Sequence, residues 1–195
     1  MRNALVRFIA IVAPLALIGA TDKPQPGEMV NNPPYANWSA FPVGTSVTQR
    51  ETISVADGTT VAVDLTSKLV SRTKDAVVVE TTMGEVGGGG GTGEAAATKT
   101  VETFPSKVKM SQAQTPETAG TAVTEGTEAL AYQGKTVDTE WVSVVTRSGD
   151  TVTEEKVWTL KDVPGGIVRR TIVKKKGDAV VSSSQLEIVD VKPGA

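Results

Sequence analysis

The sequence predicts a mainly β protein: a single curved antiparallel sheet or half-barrel of about 8–10 strands, preceded by one short helical segment. Three observations carry that expectation. From residue 45 onward, Val- and Thr-rich runs alternate apolar and polar residues with a period of two. Short turns cut these runs, at Asp57-Gly58, Gly134-Lys135, Ser148-Gly149-Asp150 and Gly177-Asp178. The stretch Lys156 to Val173 shows the plan in miniature, with two β runs flanking Pro164-Gly165-Gly166. There the proline presets φ and the glycines accept φ > 0, so the chain reverses at little cost.

Composition sets the limits. The chain has 195 residues, enough for one domain once the ends are set aside. Aromatic residues are only 4% of it, so the core must be built from Val, Ile, Leu and Ala, with three Trp and three Phe as anchors. β-Branched side chains suit a pleated, half-buried surface and are mediocre helix formers. A net charge of −2 lacks the basic footprint that nucleic-acid binding needs. There is no Cys, which excludes disulfides, thiol nucleophiles and thiolate metal sites. There is no His, which removes imidazole ligands, His-dependent triads and the usual general base near neutral pH.

Taken in order, residues 1–20 have the layout of a secretory signal: Arg2 and Arg7, the apolar run Phe8 to Ile18, then Gly19-Ala20. The run is too short for a spanning helix, although retention as an N-terminal anchor is the alternative to cleavage. Residues 21–32 read as a disordered, Pro-interrupted tether. Asn32-Pro33-Pro34 then opens a helical or 3₁₀ segment, Asn being a good N-cap and Pro favoured at the first helical position. Tyr35, Trp38 and Phe41 recur every three residues and put three rings on one side of it. Such a stripe is either a platform for a carbohydrate or lipid, or core that caps one end of a sheet. Asn37-Trp38-Ser39 matches the glycosylation sequon, whose use is not expected behind a bacterial-type signal.

A single β domain is expected over residues 33–192. In its first strand Val47, Ile53 and Val55 share a face with Gln49 and Glu51, while Thr48, Arg50, Thr52 and Ser54 share the other. Val61, Val63, Leu65 and Leu69 continue the pattern after Asp57-Gly58, and Ala76 to Thr82 follows a turn at Thr73-Lys74-Asp75, giving a three-stranded meander. Residues 84–94 form a Gly-rich loop expected to be mobile; Glu94 stands where a phosphate-cradling loop needs Lys and Ser/Thr. Weaker strands are expected at Ala95 to Phe104 and Lys107 to Met110, and a polar seam between two halves of the sheet at Thr115 to Gly126. Further strands follow at Glu128 to Gln133, Thr136 to Arg147 (with Trp141), Thr151 to Leu160 (with Trp158), Ile167 to Lys175 and Ala179 to Val191. In the Thr151 strand the apolar members of one face sit at its two ends, which predicts a bulge or an exposed centre. Around Leu186 to Val191 the apolar parity shifts, as a bulge would make it.

No catalytic group stands out. Glu154 and Glu155 are adjacent on a strand and point to opposite faces, so they cannot form an acid–base pair. Asp138, Glu140, Asp150 and Asp178 lack the spacing of a calcium loop, and no metal is assigned. Arg169-Arg170 and Lys174-Lys175-Lys176 form a basic stretch that could meet an anionic headgroup. It equally fits lysines that keep an edge strand or hairpin tip from pairing with another sheet.

Asn32-Pro33-Pro34-Tyr35 with Trp38, Phe41 and Gly44, then Gly126-Thr127-Glu128 before Gln133-Gly134-Lys135, then Lys156-Val157-Trp158 and Val163 to Val168, together resemble a group of exported proteins common in planctomycete-type bacteria. The resemblance covers most of residues 32–190. More remotely, the pattern is similar to lipoprotein-carrier-like (LolA-like) half-barrels, in which a curved sheet wraps short helices and can hold an acyl chain. That likeness implies that Tyr35 to Phe41 pack in the concave face. It places no carrier residue on this sequence.

The expected function is that of an exported, non-enzymatic β domain, periplasmic or secreted, that binds an apolar or amphiphilic, lipid-like ligand. Tyr35, Trp38, Phe41, Trp141 and Trp158 are the candidates to face that ligand or to form the core. The alternative is a structural or interaction module that meets another protein of the cell envelope through its edges and Thr/Ser faces. No cofactor and no nucleic-acid partner are expected, and the mature chain is not expected to be an integral membrane protein.

Overall fold

The computed structural model describes residues 27–85, 98–109 and 121–195. The alternating segments form strands: β1 (Met29–Asn31), β2 (Ser46–Val55), β3 (Thr60–Arg72), β4 (Ala76–Glu85), β5 (Thr98–Pro105), β6 (Lys107–Lys109), β7 (Thr121–Tyr132), β8 (Lys135–Ser148), β9 (Thr151–Thr159), β10 (Ile167–Lys176) and β11 (Ala179–Lys192). One helix, α1 (Pro33–Ser39), precedes β2. Nine strands make one open antiparallel sheet in the order β5-β4-β3-β2-β11-β10-β9-β8-β7, and β1 pairs with β6 beside it. The architecture is a half-barrel, as expected, with β5 and β7 at its two edges.

Within each half, sequential neighbours pair through short turns. The tightest is Gln133-Gly134, where both residues have positive φ (48° and 74°). That is the geometry of a type I′ hairpin, whose twist matches the flanking strands; Lys135, expected in the turn, is the first residue of β8. Within the sheet the two halves, β2–β5 and β7–β11, pair through β2 and β11, from Ser46↔Lys192 to Val55↔Ser182.

The register defines two faces. Val47, Glu51, Leu186, Arg170 and Val157 share one, and Trp158, Trp141, Leu130 and Glu187 share the other. In the N-terminal half the second face is wet, laced by Arg50–Asp64 at 2.8 Å and Thr48–Thr66 at 3.0 Å across β2 and β3. On the Val47 face, α1 closes a core of Trp38, Val47, Leu69, Val77 and Val79, with Tyr35, Phe41, Phe104, Ile188 and Val191 against it. A second core joins Leu130, Trp158, Val163 and Val168, and Ile188 touches both.

Polar bonds hold α1 in place. The Tyr35 hydroxyl lies 3.0 Å from the Lys74 carbonyl and 3.2 Å from that of Thr73, in the β3–β4 turn. Arg72 donates to the Ser39 and Phe41 carbonyls at 2.9 Å each, satisfying acceptors at the helix end. The carbonyl of Asn32 accepts the first helical bond from Ala36. Its side chain does not cap the helix as expected; it donates to the Pro105 carbonyl at 2.8 Å, a tertiary bond that outcompetes the local one.

Two further expectations are corrected. Residues 29–31 of the expected tether are strand, because β6 offers them a partner, and Asn32 is buried. The end of the polar seam, residues 121–126, belongs to β7, since cross-strand pairing with β8 overrides its weak local propensity. Strand β9 stays in register with β8 throughout and Glu154 at its centre is exposed, the second of the two expected outcomes; a bulge lies in β10, where Ile167 and Arg169 oppose the consecutive residues Thr159 and Trp158. Of the two places expected for Lys174, Lys175 and Lys176, the structure shows the hairpin tip, since β10 is internal. The parity shift near Leu186 to Val191 is a bulge between Ile188 and Asp190, as the pattern indicates. Residues 84 and 85 continue β4. The remainder of the Gly-rich loop, the signal segment and the start of the tether lie outside the described residues.

Trp38 is 5% exposed and sits between the sheet and the β9–β10 loop. Trp38→Ala is expected to cost about 3–5 kcal/mol in urea unfolding. The control Val43→Ala, at an exposed position, should stay within about 0.5 kcal/mol.

Candidate functional site

Among the five aromatic candidates, the structure separates three from two. Tyr35, Trp38 and Phe41 gather on the Val47 face under α1, as core. Trp141 and Trp158 are direct cross-strand partners on the opposite face. They do not form one surface with the first three.

The loop 160–166 explains how the two regions meet. Leu160 N–H donates to the Gly166 carbonyl and Gly166 N–H to that of Val163, at 2.9 and 2.8 Å, closing the loop on itself. Gly165 and Gly166 both have φ of +78°. A Cβ on Gly165 would touch the Trp38 ring at 3.4 Å, and one on Gly166 would lie 2.5 Å from Asn37 Nδ2. The two glycines therefore serve close approach to α1 as well as chain reversal. Val163 and Pro164 are fully buried beneath them.

On the Trp158 face a cation is held between rings. Lys156 Nζ lies 4.3 Å from the Trp141 ring centre and 4.5 Å from that of Trp158. Glu128 Oε2 accepts from Lys156 at 2.8 Å and from Trp158 Nε1 at 3.1 Å. These bonds, chiefly the one from Lys156, hold the Glu128 carboxyl below its ordinary value. The aromatic pair thus already contains its cation, and the cluster satisfies itself.

Beside it lies a cavity of about 170 Å³, lined by Leu130, Ala131, Tyr132 and Gln133 from the β7–β8 end and by Val168, Arg169, Glu187 and Ile188 from β10 and β11. Arg169 pairs with Glu187 at 2.6 Å and its guanidinium lies 5.9 Å from the Trp158 ring centre. Arg169 Nε is buried without a hydrogen-bond partner among the described residues. Burial pushes the Tyr132 phenol up. The site therefore sets a guanidinium–carboxylate pair and a phenol beside Leu130, Val168 and Ile188. It is half open to solvent, and its accessible lining is mostly polar.

The centre of the Val47 face carries an unexpected charged group. Arg170 reaches across Leu186 to Glu51, two strands away, at 3.1 Å, with side chains only 10% and 11% exposed. Glu155 sits on the same face, diagonal to Arg170. Its Oε1 and Arg170 Nε are buried without a hydrogen-bond partner among the described residues. Burial pushes the Glu155 carboxyl above its ordinary 4.5, partly offset by the charge of Arg170.

Neither the cavity nor this ion pair is among the candidates raised from the sequence. Glu51 was legible, since it shares parity with Val47 and Ile53. Arg170 was not, because the bulge at Val168 shifts the parity of β10. The cavity depends on the β7 end meeting β10 and β11, which no local pattern encodes. Among the described residues no group of three or more Asp and Glu could hold a metal ion, and no helix is long and apolar enough to cross a membrane.

Removing one partner of a buried pair leaves the other charge uncompensated. Arg170→Met is expected to cost about 3–5 kcal/mol, and the double variant Glu51→Leu/Arg170→Met to recover most of it, in a double-mutant cycle by urea unfolding. A carboxyl whose folded pKa is raised binds its proton more tightly folded than unfolded. Its contribution is therefore most favourable below 4.5 and is lost as pH rises through the folded value. Glu155→Gln should leave Tm unchanged well below that pH and raise it at neutral pH, as thermal scans across pH would show.

No family model matches this chain, and no curated protein matches it. Solved structures with a similar fold include a Bacteroides fragilis protein of YmcC-like fold, 12% identical over 77% of this chain and 97% of that one, with a TM-score of 0.40. An S-type phycobiliprotein lyase from Guillardia theta is 10% identical over 78% and 89%, with a TM-score of 0.34. A LolA-superfamily protein from Nitrosomonas europaea is 10% identical over 82% and 90%, with a TM-score of 0.26. At these TM-scores the likenesses place the chain in none of those families and transfer nothing that those proteins bind or do.

Proposed function

We propose that the chain is an exported binding domain, not an enzyme, that holds a small amphiphile or the end of a longer one. The observation that supports this reading is the cavity between the β7–β8 end and β10–β11. Leu130, Val168 and Ile188 line it together with the Arg169–Glu187 pair and Tyr132. Its accessible lining is mostly polar, and small-ligand sites use a few convergent polar groups to fix a ligand's orientation. The Arg169 guanidinium at the lining supplies donors for a carboxylate or hydroxyl head, and the half-buried Tyr132 and Ile188 lie beside a short tail. The layout of residues 1–20 supports export to the periplasm or beyond.

Native mass spectrometry of the mature chain, purified gently from the exported fraction, tests this directly. A discrete small-molecule adduct is expected, together with a rise in Tm on adding six- to ten-carbon carboxylates or alcohols. Ala131→Trp, at an exposed position on the cavity wall, should abolish the adduct and the Tm shift while leaving the unliganded Tm within about 0.5 kcal/mol equivalent of the parent. A bare mass with no thermal response to any of these compounds would sink the reading. It would also favour the alternative, a structural or interaction module of the cell envelope, to which the open edge of β7 lends itself.

A further inference from the structure

The two edges of the sheet are finished differently. Strand β5 has 8 residues, carries Lys99 in an ion pair with Glu80 at 2.7 Å, and ends at Pro105. Charges and a proline are the usual means of keeping an edge from pairing with another chain. Strand β7 has 12 residues, no proline, no lysine or arginine, only Glu125 and Glu128 (the latter bonded to Lys156) as charges, and an unbroken register with β8 from Thr121 to Tyr132. Most of its residues are exposed. An edge this long and regular is a template for a further strand.

The hairpin geometry says which of its backbone groups are open. In a two-residue type I′ hairpin the closing pair, here Tyr132↔Lys135, exchanges both hydrogen bonds. Bonded pairs then alternate along the ladder, so the even-numbered residues of β7 turn their N–H and C=O to β8. Thr121, Val123, Glu125, Thr127, Ala129 and Ala131 turn theirs outward. Among the described residues no strand pairs with them.

We propose that this edge pairs with the same edge of a second copy, antiparallel about a twofold axis at Gly126. The sequence is self-complementary in that register. Glu125 faces Thr127, Glu128 faces Thr124, Val123 faces Ala129 and Ala122 faces Leu130, so no like charges are opposed and apolar residues meet apolar ones. Gly126 faces Gly126 at a non-hydrogen-bonded position, where strands come closest. That is where room is needed: the Trp141 ring lies so close over Gly126 that a Cβ there would be 2.9 Å from it. A second glycine across the axis accommodates the ring from each copy. Pairing would join two nine-stranded sheets into one continuous sheet and satisfy the outward-facing groups of both edges.

Analytical ultracentrifugation of the mature chain across micromolar concentrations is the first measurement, and a monomer–dimer equilibrium is expected. Thr127→Pro removes an outward N–H without touching the ladder to β8, so it should shift the equilibrium toward monomer by at least tenfold with an unchanged circular dichroism spectrum. The register is checked with single nitroxide labels, which the cysteine-free chain accepts cleanly. Labels at Val123→Cys should report Cα separations of about 21 Å, and labels at Thr127→Cys about 8 Å, from the rise per residue and the spacing between strands. A parent chain that stays monomeric at the highest concentration would overturn the proposal. So would a dimer that survives Thr127→Pro, or one whose two label distances do not differ by this interval.

Discussion

The pairing of β2 with β11 is the constraint on which the rest depends. Each half of the sheet is a meander that local hairpins can build, with its own cluster of buried apolar side chains. Joining them brings Val47 beside Val191 and Gln49 beside Ile188, and completes the core that α1 covers. The two strands are far apart in sequence; the bond from Gly194 N–H to Thr45 Oγ1, at the lower end of the seam, spans 149 residues. Closing that distance costs loop entropy before any contact is gained. It is offset by a ladder over the whole of β2 and by the buried Arg170–Glu51 pair, which ties β10 to β2 across Leu186.

That ion pair also sets a limit. Two desolvated charges contribute little net stability compared with apolar side chains of the same shape, yet they penalise any register in which they do not meet. A one-residue slip between β2 and β11 would put Glu51 and Arg170 on opposite faces. The bulges at Val168 and Val189 act in the same sense. Each moves a side chain out of strict alternation, so that Val168 joins the core with Trp158 and Ile188 reaches both cores. The irregularities of the strands are therefore what lets the two halves share one interior.

The cavity lies within the second half of the sheet, between the β7–β8 end and β10–β11. The β7–β8 end extends past β9, which stops at Thr159 opposite Glu140, and this overhang reaches β10 and β11. The overhang makes the cavity, and the same strand supplies the open edge. Lys156 plays a different part. Held between Trp141 and Trp158 and bonded to Glu128, it fixes the aromatic pair from within. The rings serve as scaffold for the neighbouring Arg169.

The sequence by itself determined the elements. Period-two alternation, glycine turns and the Asn-Pro-Pro start of α1 are local signals, governed by backbone sterics and by which side chains one strand or turn can bury. They were sufficient for the antiparallel half-barrel, the meander β2–β4, the bulge near Ile188 and the helix with its three rings. Tertiary structure alone decided the rest. Whether Asn32 caps α1 or bonds Pro105, whether residues 29–31 are tether or strand, and whether Arg170 faces Glu51 depend on partners over 70 positions away in sequence. Local propensities are worth tenths of a kcal/mol, whereas a buried polar group left unpaired costs about 1–3 kcal/mol. The distant partner therefore wins, and it leaves no trace in the local pattern.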